Sequence, residues 1–322
     1  MRKKRSDGSA KPVYTARMTD VTQTSLSQRA WIELLLLGLI WGGVFLAARL
    51  ALNEVGVLTA VAHRTFWAAL VLWAAVRMLR LPVPRDLRTW TAFMVMGLLN
   101  NLIPFSLLNW SQLHIESGLA SIFNAATAPF GVLAAALFFA DERLSRRKLA
   151  GVLIGFAGVA TAIGLDAIRH FDPRSLAQLA ALGAPLSYAL AAVWARKHLA
   201  GLAPHVSAAG MLTCSALIAV PLAWAVDGPF ETQLSATTYA ALAYYALIAT
   251  AGAYLLYYRV LDMAGSGNLS LVTLLIPPFA IVLGALVLDE ALEMRAFAGF
   301  GILALGLLVL DGRIPLPGHK KS

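Results

Sequence analysis

The sequence predicts an all-α polytopic membrane protein: ten transmembrane helices, arranged as two inverted repeats of five, with both termini in the cytoplasm. Three observations lead there. Of the 322 residues, 59% are hydrophobic and 13% charged, where soluble domains carry about 25% charged residues. The Lys and Arg residues gather in short clusters on one side of the apolar runs. A stretch of the first half also recurs, in order, in the second.

Residues 1–29 form a basic polar tail. Arg2, Lys3, Lys4 and Arg5 imitate the start of a signal peptide, but the first apolar run begins only at Trp31 and is long enough to span. A retained helix after a disordered cytoplasmic tail is expected. The ten runs cover about 31–50, 56–78, 88–111, 117–140, 149–166, 176–196, 205–226, 237–258, 267–288 and 296–312. Each approaches the roughly 20 residues that a bilayer core requires. Turn or charge signals separate them, among them Arg80-Leu81-Pro82, Asp141-Glu142-Arg143, Asp227-Gly228-Pro229 and Asp289-Glu290. The connections are too short to hold a soluble domain, and residues 313–322 form a second cytoplasmic tail.

With the N-terminus inside, 21 of the 26 Lys and Arg residues fall on the cytoplasmic side. Four (Arg49, Arg169, Arg174, Arg295) fall outside, and Arg64 lies within helix 2. The positive-inside rule therefore sets the orientation, with a bacterial inner membrane as the expected location. It also accounts for the net charge of +9 without nucleic acid. The single cysteine, Cys214, forms no internal disulfide and supplies no metal cluster.

A shift of 148 residues lays Pro129 on Pro277, Glu142 on Glu290, Arg147 on Arg295, Gly151 on Gly299 and Gly158 on Gly306. Five helices per repeat is an odd number, so the second repeat enters from the opposite side and is inverted. Secondary transporters commonly have this architecture, with the site near the midplane between the repeats. The repeats take residues 30–168 and 174–312. The segments Ser117-Gly118-Leu119-Ala120-Ser121 through Pro129 to Asp141-Glu142-Arg143-Leu144, and Pro277 through Asp289-Glu290, each precede a Gly-rich helix. With Gly97 through Asn100-Asn101-Leu102-Ile103-Pro104-Phe105 and Trp110, and His63-Arg64 with Trp67, they resemble the two EamA domains of the drug/metabolite transporter superfamily. The resemblance covers nearly all of residues 31–312. It implies export of a small organic solute on a scaffold shared by many substrates.

Polar residues inside spans are expensive and face protein or water. Arg64 is a charge deep in helix 2. Asn101 shares a helical face with Phe105, Leu108 and Gln112. Asn124 precedes Pro129 by five residues. Trp41 in helix 1 and Tyr188 in helix 6 occupy corresponding places, and Tyr254 lies within helix 8. Each of these has a structural alternative as interhelical glue or interfacial anchor. Together they predict a central substrate cavity lined by Trp41, Arg64, Asn101, Asn124, Tyr188 and Tyr254, with Pro129 and Pro277 as hinges. The glycines of helices 5 and 10 fit close packing within the chain or a homodimer contact.

No acidic residue lies at the middle of a span, and no phosphate-binding Gly-Lys loop, zinc motif or nucleophile elbow occurs. The expectation is a transporter without enzymatic activity, cofactor or metal, whose partners are a small solute and the bilayer. Its substrate would be an amino acid or similar amphipathic metabolite, moved by alternating access. A broad drug or amine exporter and a non-transporting scaffold or sensor are the competitors. A scaffold would fill the repeat interface with apolar packing.

Overall fold

A computed structural model describes residues 27–142, 144–163, 173–269 and 271–314. These residues are helical apart from turns and short connections. In order they form α1 (Gln28–Ala51), α2 (Val57–Met78), α3 (Leu87–Ser111), α4 (Ser117–Phe138), α5 (Arg146–Ile163), α6 (Pro173–His198) and α7 (Pro204–Val226). There follow α8 (Ala236–Ala243, Tyr244–Gly252 and Ala253–Leu269), α9 (Val272–Leu288) and α10 (Met294–Leu310). Seven of them, α1–α4 and α6–α8, are long and apolar enough to cross a membrane. Leu35, Leu39, Phe66, Leu70, Leu217, Trp224 and Leu286 point outward and exposed. So large an apolar surface suits lipid rather than water. The tails, Arg143 and the connection at 164–172 lie outside the described residues.

Three helices are irregular. α3 widens to a π-turn at Leu98–Leu102, where the Ile103 N–H bonds Leu98 O, five residues back. Pro104, which has no N–H to offer Asn100 O, follows directly. α8 widens at Tyr244–Gly252, the place that a 147-residue shift assigns to it. α4 breaks at Ala125–Ala126, just before Pro129. The apolar count ended helix 8 at Tyr258 and began helix 9 at 267; instead α8 runs on to Leu269. Its polar extension finds partners at that end of the molecule: Arg259 pairs with Glu33, and Arg313 donates to Asn268.

The helices pack mainly across the two halves: α1 on α9, α2 on α7, α3 and α4 on α6, α5 on α10, and α8 on α1 and α2. The α5–α10 contact is backbone to backbone at its glycines. A Cβ on Gly151 would lie 2.8 Å from Gly306 O, and one on Gly158 would lie 2.7 Å from Gly299 O. The shift that equates Gly151 with Gly299 and Gly158 with Gly306 exchanges these two contacts, as a two-fold relation between the halves requires. Both glycine faces are occupied by each other within the chain.

Candidate functional site

Between the halves lies a cavity of about 640 Å³, within the range of small-molecule sites. Its aromatic wall is Trp41, Tyr188, Tyr254, Tyr257 and Tyr258, and its polar groups include Arg64, Asn100, Ser121, Asn124, Thr127 and Thr250. Trp41 and Tyr257 are in ring contact at 5.7 Å. Tyr254 and Tyr258, one turn apart on α8, lie with rings stacked at 6.3 Å.

Arg64 is buried and held on three sides. Its Nε donates to Thr250 Oγ1 at 2.8 Å, and Thr250 Oγ1 donates to Tyr245 O at 2.9 Å. Its guanidinium carbon lies 3.6 Å from the Phe105 ring centre and 4.2 Å from that of Tyr245. Cation–π contact of this kind offsets part of the cost of a desolvated charge. The Tyr245 hydroxyl is fixed in turn by donation to Asn109 Oδ1 at 2.9 Å. The widened turn of α8 thus supplies both Tyr245 and Thr250 to the arginine.

Of the six residues expected at the cavity, the structure brings five together: Trp41, Arg64, Asn124, Tyr188 and Tyr254 line it. Asn101 is displaced. It is fully buried, and its Nδ2 donates to Ser215 Oγ at 3.0 Å, which joins α3 to α7. Asn100 faces the cavity instead and donates to the Tyr254 hydroxyl at 3.2 Å. The cause is the π-turn. The lining face of α3 runs Met96, Asn100, Phe105, Leu108, with a step of five across the widened turn. Counting back by four from Phe105 lands one residue off.

Thr250 and Thr127 went unread in the sequence, since hydroxyls in apolar helices are common and carry no charge signal. Tyr257 was readable as a neighbour of Tyr254 three residues on. Pro129 and Pro277 are buried but do not line the cavity. Each removes the N–H that would bond the carbonyl four residues earlier. Those carbonyls belong to Ala125 and Thr273, which both line the cavity.

Among the described residues the cavity reaches one end of the molecule, at Leu199, Ala200, Leu202 and Pro204, beside Arg196 and Lys197. Polar ties close the other end. Glu290 accepts from Ser117 N and Oγ at 2.9 and 2.7 Å, and Arg174 pairs with Glu116 at 2.9 Å. Arg49 donates to Gln112 O at 2.6 Å, Asp227 accepts from Thr59 N at 2.7 Å, and Glu54 accepts from Ser235 N at 2.7 Å. A void of about 10 Å³ lies beside Glu116 and Arg174, about enough for one water. Hydrogen bonds from Ser235 hold the Glu54 carboxyl below its ordinary range. Among the described residues no His, Cys, Asp or Glu cluster is suited to a metal.

The EamA-like transporter family model matches residues 29–164 and again 175–310. The chain is 22% identical to "Uncharacterized transporter YoaV" of Bacillus subtilis, over 84% of this chain and 92% of the relative. It is 26% identical to "Probable terminal-alkyne amino-acid exporter" of Streptantibioticus cattleyicolor, over 89% and 95%. It is also 26% identical to "Probable amino-acid metabolite efflux pump" of Escherichia coli, over 88% and 95%. One crystal structure, 18% identical, superposes with a TM-score of 0.62 over 88% of this chain and 97% of its own, which shows a shared fold. With two matched copies filling most of its length, the chain belongs to the EamA-like transporter family and is a membrane transporter, not an enzyme.

Proposed function

We propose that this chain is a secondary carrier of a bacterial inner membrane that exports a small amphipathic metabolite, an amino acid or similar solute, by alternating access. The observation that carries the reading is the cavity: polar and aromatic, set between two halves and, among the described residues, reaching one end. A scaffold would fill that interface with apolar side chains. In this reading all ten helices span, the halves are inverted repeats, and both termini are cytoplasmic. The cavity mouth lies beside Arg196 and Lys197, on the face that the positive-inside rule assigns to the cytoplasm. The conformation is therefore inward-facing, ready to receive a cytoplasmic solute. The ties at the far end form the closed gate, and α4 and α9, weakened at Pro129 and Pro277, bend as the gates exchange. The names of the amino-acid exporting relatives agree with the substrate class.

The test is overexpression and deletion in the native host, with the external medium profiled for metabolites. One or more amphipathic solutes should rise outside the overexpressing cells and fall outside the deletion strain. An unchanged medium in both strains refutes the reading.

A further inference from the structure

We propose that Arg64 is the docking point for a carboxylate of the transported solute, so that the carrier selects amphipathic organic acids, α-amino acids among them, over amines that lack an acid group. The proposal rests on the transporter reading above and deepens it.

Arg64 is the one residue lining the cavity, among those described, that carries a full charge at neutral pH. No carboxylate among the described residues lies within 4.0 Å of it; the ion pairs among them sit nearer the two ends. Among the described residues only Nε is bonded, to Thr250. The guanidinium carbon lies over the rings of Phe105 and Tyr245. What the protein leaves unbonded is the edge that carries the two Nη groups, on a side chain that lines the cavity. Parallel N–H groups on a planar fork match the two oxygens of a carboxylate. A buried charge without a counter-ion is costly, and a solute carboxylate supplies the missing partner.

A second polar group points the same way. Asn124 lines the same cavity, and among the described residues its Oδ1, buried behind that wall, has no hydrogen-bond partner. Turned toward the cavity, it is an acceptor for a donor such as the ammonium or amide N–H of an amino acid. Trp41, Tyr254 and Tyr257 then face the apolar body. The competing role for Arg64 is a pin that ties α2 to α3 and α8. A pin needs neither an unbonded edge nor a place on the cavity wall.

Three probes with one apolar body separate these roles: 3-phenylpropionate, phenethylamine and the neutral 3-phenylpropionamide. Purified protein in lipid nanodiscs is followed by thermal unfolding and by tryptophan fluorescence, to which Trp41 on the cavity wall contributes. 3-Phenylpropionate should raise the melting temperature and change the fluorescence, and the other two should not. Arg64→Lys, which keeps the charge but loses the fork, should weaken the response about tenfold, and Arg64→Gln should abolish it. If Arg64→Gln does not insert, the comparison of acid with amide on the unaltered protein still decides. An equal response to all three probes, a preference for the amine, or no response to any overturns the carboxylate anchor. The two readings fail separately. If metabolite profiling finds exported amines, the anchor falls and the carrier stands; an unchanged medium removes the carrier.

Discussion

Asn100 and Asn101 are neighbours with opposite surroundings, and substitution should separate them. Asn100→Ala removes a cavity group and the tie to Tyr254, so it should lower transport while membrane insertion and melting temperature stay near the parent values. Asn101→Ala breaks the link to Ser215 and should cost about 0.6–2 kcal/mol of stability, seen as a lower melting temperature in detergent with transport per folded molecule retained. The reverse pattern would mean that the π-turn does not set the face of α3. This is also where sequence reading ran out at the residue scale. Trp41, Arg64, Asn124, Tyr188 and Tyr254 were legible because a large aromatic or polar group inside a span has few places to go. Asn101 was misplaced because a regular 3.6-residue period was carried through a turn that does not obey it. The hydroxyl of Thr250, which holds Arg64, was invisible because its role depends on a neighbour 186 residues away in the chain.

At the scale of elements, the α5–α10 seam makes a sharp distinction among glycines. A Cβ on Gly158 would lie 2.4 Å from Leu303 N, a backbone atom that cannot swing aside. Gly158→Ala should therefore cost about 1–3 kcal/mol and lower both yield and melting temperature. Gly301, also on α10, has nothing within 4 Å of such a Cβ. Gly301→Ala should be neutral or stabilising by up to about 1 kcal/mol, since alanine is the better helix former. Equal effects at the two sites would contradict the seam. The closed end offers a second contrast. Glu290 caps the start of α4 from across the molecule, and the residue at the cap position, Glu116, supplies no capping bond of its own. Glu290→Ala should loosen that end. With Cys214 replaced by Ala, a cysteine at Leu108 should then react faster with a membrane-impermeant maleimide added from the periplasmic side.

For the whole molecule, orientation rests on the distribution of Lys and Arg. A reporter active only in the periplasm, fused after Ser322, should stay silent, and the same reporter inserted at Gly228 should be active. The opposite result would turn the cavity mouth outward. The apolar helices and the two family copies were legible because prolines, glycines and charges mark helix ends and bends, and these recur at one spacing. Which helix packs on which was not legible, because an apolar surface fits many partners equally. The break in α4, the widened turns of α3 and α8 and the one-ended cavity are likewise products of tertiary packing. The partner list carries one more consequence. Since most helices rest on the other half, and α5 and α10 clasp glycine to glycine, neither half holds a complete core alone, and the peptide link between them is not what holds them together. Residues 1–168 and 169–322, encoded as two separate cistrons, should each be degraded when expressed singly. Expressed together, they should reassemble into one particle that co-purifies on a single affinity tag.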